Sequence, residues 1–161
     1  MDDLDARLID LFAVEPRIGV LEASRRLGVA RGTVQARLDK LESTGVITGW
    51  GPDLSPDALG FPVMAFLTLQ IRQAVADPGA WRGGHHAVAA HLAEIPEVLE
   101  AFTITGDGDM WVRVVARSNA DLQRVIDLVL TDPAIDRSTT VIALASQIPH
   151  RVLPLARSAS G

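Results

Sequence analysis

The stretch EASRRLGVARGTVQARLDKLESTGVI, from Glu22 to Ile47, has the pattern of two short helices joined by a Gly-Val-Ala turn. The whole chain of 161 residues has a formal net charge of −5, yet positive charge is concentrated around this stretch. Between residues 17 and 41, six basic residues stand against two acidic ones, namely Arg17, Arg25, Arg26, Arg31, Arg37 and Lys40 against Glu22 and Asp39. A basic surface on an acidic protein indicates contact with an anionic partner.

Hydrophobic periodicity predicts three helices in the first fifty residues. Pro16 ends the first helix, and Gly45 suits the left-handed cap that closes the third. Gly28, Val29 and Ala30 form the turn between the second helix and the third. The predicted helices cover residues 4–14, 20–27 and 31–43, and a short strand is expected at residues 46–50.

The third helix has one apolar stripe and one outward face of small residues. Val34, Leu38 and Leu41 form the stripe, and Gly32 and Ala36 lie opposite. Small residues allow a close approach to a surface, and the donors beside them suit phosphates and base edges, as in helix-turn-helix docking. The candidate DNA-binding residues are Arg25, Arg26, Arg31, Gly32, Thr33, Gln35, Ala36, Arg37 and Lys40. The alternative interpretation is a helical hairpin with a solvated basic face.

A proline-rich segment separates this part of the chain from the rest. Residues 51–62, GPDLSPDALGFP, contain three prolines and are interpreted as a hinge. The order strand, helix, strand, strand, helix, strand follows, which predicts a ferredoxin-like βαββαβ domain and an α+β fold. The predicted division is a helix-turn-helix domain at 1–50, the hinge at 51–62, the βαββαβ domain at 63–148 and a C-terminal tail without a clear pattern at 149–161.

The second half is predicted to form one sheet with helices on one face. Strands are expected at 63–71, 98–105, 110–116 and 138–144, helices at 85–95 and 120–130, and a loop at 76–84. The other face of the sheet stays bare, which usually serves dimerisation or ligand binding. Met64 and Phe66 alternate with Val63 and Ala65, so we expect them on that bare face, in a dimer seam.

The link between the second and third strands has the chemistry of a ligand site. Gly106-Asp107-Gly108-Asp109 is a typical hairpin connection. Its flexible backbone N–H groups suit a carboxylate, and its aspartates suit an α-amino group, which together match a free amino acid. The alternative is a turn with no ligand.

Other classes of function find little support in the sequence. No apolar run approaches the roughly 20 residues that span a bilayer, and the acidic N-terminus is unlike a signal peptide, so we expect a cytoplasmic protein without membrane contact. The chain has no cysteine. His85, His86 and His91 lack the i, i+4 spacing of helical metal ligands. We therefore expect no metal, no cofactor and no catalytic residues.

The chain resembles the Lrp/AsnC family of prokaryotic transcription regulators over about residues 2–148. The residues that carry the resemblance are Leu4-Asp5, Arg17-Ile18, Leu27-Gly28-Val29, Arg37-Leu38, Leu41-Glu42, Gly45-Val46-Ile47, Gly49-Trp50, Leu54-Ser55-Pro56, Leu59-Gly60, Pro96-Glu97-Val98, Thr105-Gly106 and Asp109. The resemblance implies a winged-type helix-turn-helix and a C-terminal ligand-sensing (RAM) domain. It also implies homodimers formed through the sheet, which assemble further into tetramers or octamers.

The same resemblance places an amino-acid effector near the loop between the second and third strands of the sheet. Carried over residue by residue, the effector-binding residues are Thr105, Gly106, Asp107, Gly108 and Asp109. The family commonly has an aromatic residue where this chain has Gly108, a basic residue where it has Asp39, and a serine where it has Ala30.

The leading hypothesis is a sequence-specific regulator that binds double-stranded DNA and responds to a small molecule, with an amino acid as the favoured effector. One alternative is a metabolite-binding oligomeric partner that does not bind DNA. Another is an enzyme on a ferredoxin-like fold. The acidic balance of the chain from residue 51 on, with eight basic and twelve acidic residues, favours DNA contact by the N-terminal part alone.

Overall fold

The computed structural model describes residues 1–72 and 80–159, without the side chains of residues 80–83. It divides into two units, one of Met1–Asp53 with Ile148–Gly161 and one of Leu54–Gln147. In chain order the elements are α1 (Asp3–Val14), α2 (Val20–Leu27), α3 (Arg31–Ser43), β1 (Val63–Ile71), α4 (Ala80–Ala93), β2 (Val98–Thr103), β3 (Met110–Ala116), α5 (Asn119–Val129), β4 (Ile135–Ala143) and α6 (Leu153–Ser158).

The three predicted N-terminal helices are confirmed, α2 and α3 with the predicted bounds. α1 begins one residue early because Asp2 caps it: the Asp2 carboxylate accepts from the N–H of Asp5, and the Asp5 carboxylate accepts from the N–H of Asp2. Their shared core contains Leu8, Ala23, Val34, Leu38 and Leu41, all buried. The apolar stripe predicted for α3 is therefore correct.

The strand predicted at residues 46–50 is wrong. The N–H groups of Val46 and Ile47 both donate to the carbonyl of Leu41, at 2.9 and 3.1 Å, and so close the end of α3. Gly45, with φ of 73°, makes that turn. The described residues of this unit contain no strand with which residues 46–50 could pair, so the helix-turn-helix here has no wing.

The C-terminal tail contains a helix that the sequence pattern did not predict. α6 packs on α1, and Arg157 Nε donates to Asp10 Oδ1 at 2.9 Å. A helix of six residues is too short to show a clear hydrophobic period. The end of the chain therefore belongs to the N-terminal unit.

The second unit is a four-stranded antiparallel sheet with the order β2-β3-β1-β4. This confirms the βαββαβ fold. Val88 and Leu92 of α4 and Val125 and Val129 of α5 cover one face. Alternate residues of β1, including Ala65 and Leu67, point into this core.

Element bounds in this unit differ from the prediction mainly at the ends. β1 and β3 are as predicted, β2 ends at Thr103, and β4 begins at Ile135 because it pairs with the end of β1 across a register shift. Ser118 caps α5 by accepting from the N–H of Asp121. The loop predicted at 76–84 is wrong for residues 80–84, which begin α4, and its first part lies outside the described residues.

Candidate functional site

The turn before α3 has the geometry that a helix-turn-helix requires. Gly28 adopts φ of 69°, a left-handed conformation that favours glycine, and it ends α2. The N–H of Val29 returns to the carbonyl of Ser24 at 3.1 Å. α3 then starts at Arg31 behind Ala30, whose side chain makes no capping hydrogen bond. The first N–H groups of α3, at the positive end of the helix dipole, therefore have no side-chain acceptor at the cap.

The outward face of α3 is exposed, as the sequence predicts. Its exposed candidate residues are Arg31, Gly32, Thr33, Gln35, Ala36 and Lys40. A Cβ added to Gly32 would meet no atom within 4 Å, so the centre of this face is open. Asp39 is the one acidic residue of this face, and its carboxylate accepts a hydrogen bond from Gln35 Nε2 at 2.8 Å.

Arg37 is placed differently from the other candidate DNA-binding residues. Its guanidinium donates to the carboxylates of Asp2 and Asp5, the latter at 2.9 Å. Asp5 is 1% exposed, and the Arg37 side chain is 30% exposed. These carboxylates raise the pKa of Arg37, and the hydrogen bond to Asp2 is the main cause. Arg37 therefore ties α3 to the start of α1.

The arginines at the end of α2 also have partners within the protein. Arg26 pairs with Glu15 and with Glu22, and the hydrogen bond to Glu15 is the main cause of its raised pKa. Arg25 lies 3.6 Å from the second oxygen of Glu22. Both arginines stay exposed, so each can exchange its carboxylate for a phosphate.

Arg31 and Lys40 have no ion-pair partner among residues 1–72 and 80–159. They lie near opposite ends of the exposed face of α3. Of the candidate cations on α3, Arg37 is held in an ion pair, whereas these two are not within the described part of the chain. They are therefore the best placed for phosphate contact.

The loop between β2 and β3 lines an open groove of about 790 Å³. The lining residues are Gln70, Ile71, Arg72, Gly106, Asp107, Gly108, Asp109, Asp136 and Arg137. Four of the five predicted effector-binding residues are thus brought together. Thr105 is exposed on the same loop but does not line the groove.

The loop is fastened to the end of β1 through Asp109. The Asp109 carboxylate accepts from the N–H of Ile71 at 2.7 Å, and its own N–H donates to the carbonyl of Leu69 at 2.9 Å. One carboxylate oxygen is therefore engaged in holding the groove together. Asp109 has a structural role in addition to the ligand role expected for it.

Gly108 lies where the backbone of the loop crosses β1. A Cβ at this position would stand 2.3 Å from Thr68 Cγ2 and 3.3 Å from the carbonyl oxygen of Leu69. A side chain at this position would therefore require Thr68 or the backbone of β1 to shift. The groove consequently lacks a ring at that point.

The sequence did not identify Gln70, Arg72, Asp136 and Arg137 as groove residues. Gln70 and Arg137 are paired across β1 and β4, and Arg72 lies 3.3 Å from Asp136. The order of strands in the sheet brings them to the loop, and that order cannot be read from local spacing. The available signal was Arg137, a basic residue directly before the last predicted strand.

The face of the sheet opposite to the helices exposes aromatic side chains. Phe66 stacks on Trp111 with ring centroids 4.6 Å apart, and Phe102 lies 6.1 Å from the same indole. Val141 is opposite Phe66 in the ladder and is 62% exposed. The bare face expected from the sequence is present, and Phe66 lies on it.

Comparisons with known proteins agree with both parts of this architecture. The model of the AsnC-type helix-turn-helix domain matches residues 1–42, and that of the Lrp/AsnC ligand binding domain matches residues 80–153. The regulatory protein AsnC of Escherichia coli is 30% identical over 155 residues, which cover 96% of this chain and 97% of AsnC. The structure of AsnC from that bacterium superposes with a TM-score of 0.83, covering 96% of this chain and 99% of its own.

Two further relatives are similar over most of their length. The transcriptional regulator FL11 of Pyrococcus horikoshii is 28% identical over 96% of this chain and 97% of its own. A regulator from Neisseria meningitidis, solved in complex with L-methionine, has the same fold, with a TM-score of 0.77, 24% identity and 93% of each chain covered.

A helix-turn-helix joined to a ligand-binding domain of this kind defines a DNA-binding transcriptional regulator controlled by a small molecule. The chain belongs to the Lrp/AsnC family. In residues 1–72 and 80–159, no helix has the length and apolar character needed to cross a membrane.

Proposed function

We propose that this protein controls transcription as a homodimer or larger homo-oligomer by inserting α3 into the major groove of duplex DNA, and that a free amino acid in the groove beside the β2–β3 loop modulates that binding. The observation that carries the proposal is the exposed face of α3, which has small residues at its centre. Arg31 and Lys40 lie near its ends and form no ion pair with any residue that the structure describes. Helix-turn-helix proteins use such a face to reach base edges.

Each residue of this face has a distinct role in the proposal. Gly32 and Ala36 allow close approach, and Thr33 and Gln35 supply hydrogen bonds to base edges. Arg31 and Lys40 bind phosphates of the DNA backbone, as do Arg25 and Arg26 once they exchange their carboxylate partners for phosphate. Arg37 holds α3 at the correct angle to α1.

The bare face of the sheet is the proposed dimer interface. Phe66, Trp111 and Val141 present apolar surface there, and such surface usually marks an interaction site. A symmetric dimer places two α3 helices on half-sites roughly 34–36 Å apart, so the operator is a pseudo-palindrome.

The groove beside the loop is the proposed effector site. It joins backbone N–H groups of a glycine-rich turn with carboxylates and guanidinium groups, which together complement a zwitterion. The relative from Neisseria meningitidis binds an amino acid on the same fold. A regulatory role rather than catalysis is proposed because the matched relatives are transcriptional regulators.

The proposal is tested by selecting genomic DNA fragments that the purified protein retains, in the presence and absence of mixed amino acids. Enrichment of fragments that share a pseudo-palindromic motif is the expected result, with occupancy that changes when amino acids are added. A folded oligomer that enriches no sequence would instead support a metabolite-binding partner without DNA recognition.

A further inference from the structure

Five charged side chains line the groove beside the β2–β3 loop, and three of them have contacts within the protein. Arg72 Nη2 lies 3.3 Å from Asp136 Oδ1, and Asp109 accepts from the N–H of Ile71 through one oxygen. Among the described residues, Arg137 and Asp107 make no ion pair. Asp109 makes no ion pair among the described residues either, so the groove holds one cation, Arg137, and two anions outside an ion pair.

Asp107 and Arg137 come from different elements of the fold. Asp107 belongs to the loop between β2 and β3. Its backbone carbonyl accepts a hydrogen bond from Gln70 Nε2 at 3.4 Å. Arg137 belongs to β4 and is opposite Gln70 in the ladder, directly before the register shift that follows Gln70. Such irregularities often re-aim side chains at the edge of a site. Positive and negative charge thus enter the groove from separate elements.

We propose that Arg137 binds the α-carboxylate of the effector, while Asp107 and the second oxygen of Asp109 receive its α-ammonium group. This inference rests on the proposed effector role of the groove. A guanidinium presents a planar fork of donors that matches both oxygens of a carboxylate. Arg137 therefore selects free amino acids against amines and amides that have the same side chain.

The lining of the groove also bears on which side chains it accepts. Ile71 contributes the one apolar side chain among the described lining residues, and it is 7% exposed. Hydrophobic affinity scales with the apolar surface removed from water on both partners. The contacts that the described lining residues offer a ligand are therefore mainly ionic and hydrogen-bonding.

Calorimetric titration of the full-length protein tests this assignment. Each proteinogenic amino acid is titrated separately, and the tightest ligand is then compared with its α-amide, which lacks the carboxylate charge. We expect the amide to bind about ten- to a hundredfold more weakly than the acid, the usual range for loss of a charge-assisted hydrogen bond.

Substitution then assigns that difference to a residue. Arg137→Gln should weaken binding of the amino acid by the same factor, so that the acid and its amide bind equally. Arg137→Lys should restore part of the preference for the acid. Arg72→Gln is the matched control, because it removes a guanidinium from the same groove that is already paired with Asp136. This control should keep the distinction.

The possible outcomes separate the inference from the proposed function. An Arg137→Gln protein that still prefers the acid, or an Arg72→Gln protein that loses the preference, would overturn the assignment while leaving amino-acid sensing intact. If no amino acid binds, both the assignment of Arg137 and the sensing role are overturned. DNA binding by α3 is measured independently of this outcome.

Discussion

Arg37 at the middle of α3 is paired with Asp5, a carboxylate of the first turn of α1 that is 1% exposed, at 2.9 Å. Asp2, the cap of α1, accepts from the same guanidinium nitrogen. This cluster fixes the angle between α3 and the helix that supports it. A buried carboxylate that loses its cation is strongly destabilising, so Arg37 acts first on the fold and only through it on DNA.

Arg37→Ala should lower the midpoint of thermal unfolding and weaken DNA binding together, because Asp5 is left without its partner. Arg31→Ala should weaken DNA binding without a change in the midpoint, because Arg31 has no ion pair within the described residues. Circular dichroism and DNA affinity measured on the same preparations separate the two effects. An Arg37→Ala protein as stable as the parent, yet unable to bind DNA, would instead indicate direct contact.

The Asp2 carboxylate makes the N-terminal unit sensitive to acid. The hydrogen bond from the N–H of Asp5, followed by that from Arg37, lowers the pKa of Asp2 below its ordinary value of 3.8. A lowered native pKa contributes stability that is present above the unfolded value and is lost as the pH falls through the native value. The protection factors of the α1 amides, which are corrected for the intrinsic pH dependence of exchange, should therefore decrease below pH 3.8.

Asp2→Asn provides the control for this pH dependence. Asparagine is as good a helix cap as aspartate, but it does not titrate. Exchange in α1 of the variant should be faster than in the parent at neutral pH and should change less as the pH falls. Identical pH profiles for the two proteins would show that Asp2 does not cause the acid sensitivity.

Gly108→Ala should destabilise the C-terminal unit by about 1–3 kcal/mol, as other overpacking substitutions do. The added Cβ would lie 2.3 Å from Thr68 Cγ2, and threonine has few rotamers into which that methyl group can move. Denaturant unfolding followed by circular dichroism measures the decrease in the free energy of unfolding.

Two further variants show whether contact with Thr68 is the cause. Thr68→Ser removes the methyl group that clashes, so the Thr68→Ser/Gly108→Ala double variant should recover most of the stability. Gly32→Ala is the control: it places a methyl group on an open helix face with no atom within 4 Å, and should not destabilise the N-terminal unit. A Thr68→Ser/Gly108→Ala protein as unstable as Gly108→Ala would show that contact with the Thr68 methyl group is not the cause of the destabilisation.

Val141→Glu should dissociate the proposed dimer without unfolding the protomer. Val141 is 62% exposed on the bare face of the sheet, so a charge there is solvated in the monomer and buried in an interface. Sedimentation equilibrium of the variant and the parent provides the measurement. An unchanged assembly state would place the interface on another surface.

Local sequence patterns predicted most of the fold. The apolar periods of α2, α3, β1 and β3 fixed their bounds because each element has one buried face. The pattern failed where contacts from elsewhere in the chain decide the structure. Val46 and Ile47 have strand propensity, but without a partner strand they bond to the end of α3.

The candidate sites were less predictable than the elements that carry them. The spacing of α3 indicates which residues face outward, and it places Arg31 and Lys40 correctly on that face. It could not show that Arg37 reaches a buried carboxylate at the start of α1. Arg137 joins the groove through strand order, which is a property of the folded sheet.

The most direct test of DNA recognition by α3 is fluorescence anisotropy on a selected operator duplex, titrated with salt. The parent should bind the operator far more tightly than a random duplex of the same length. Arg31→Ala and Lys40→Ala each remove one phosphate-binding cation from each protomer, so each should reduce the slope of log K against log salt by about 0.9 per protomer, or about 1.8 for a bound dimer. Equal affinity for operator and random duplex, or unchanged slopes in both variants, would contradict the account.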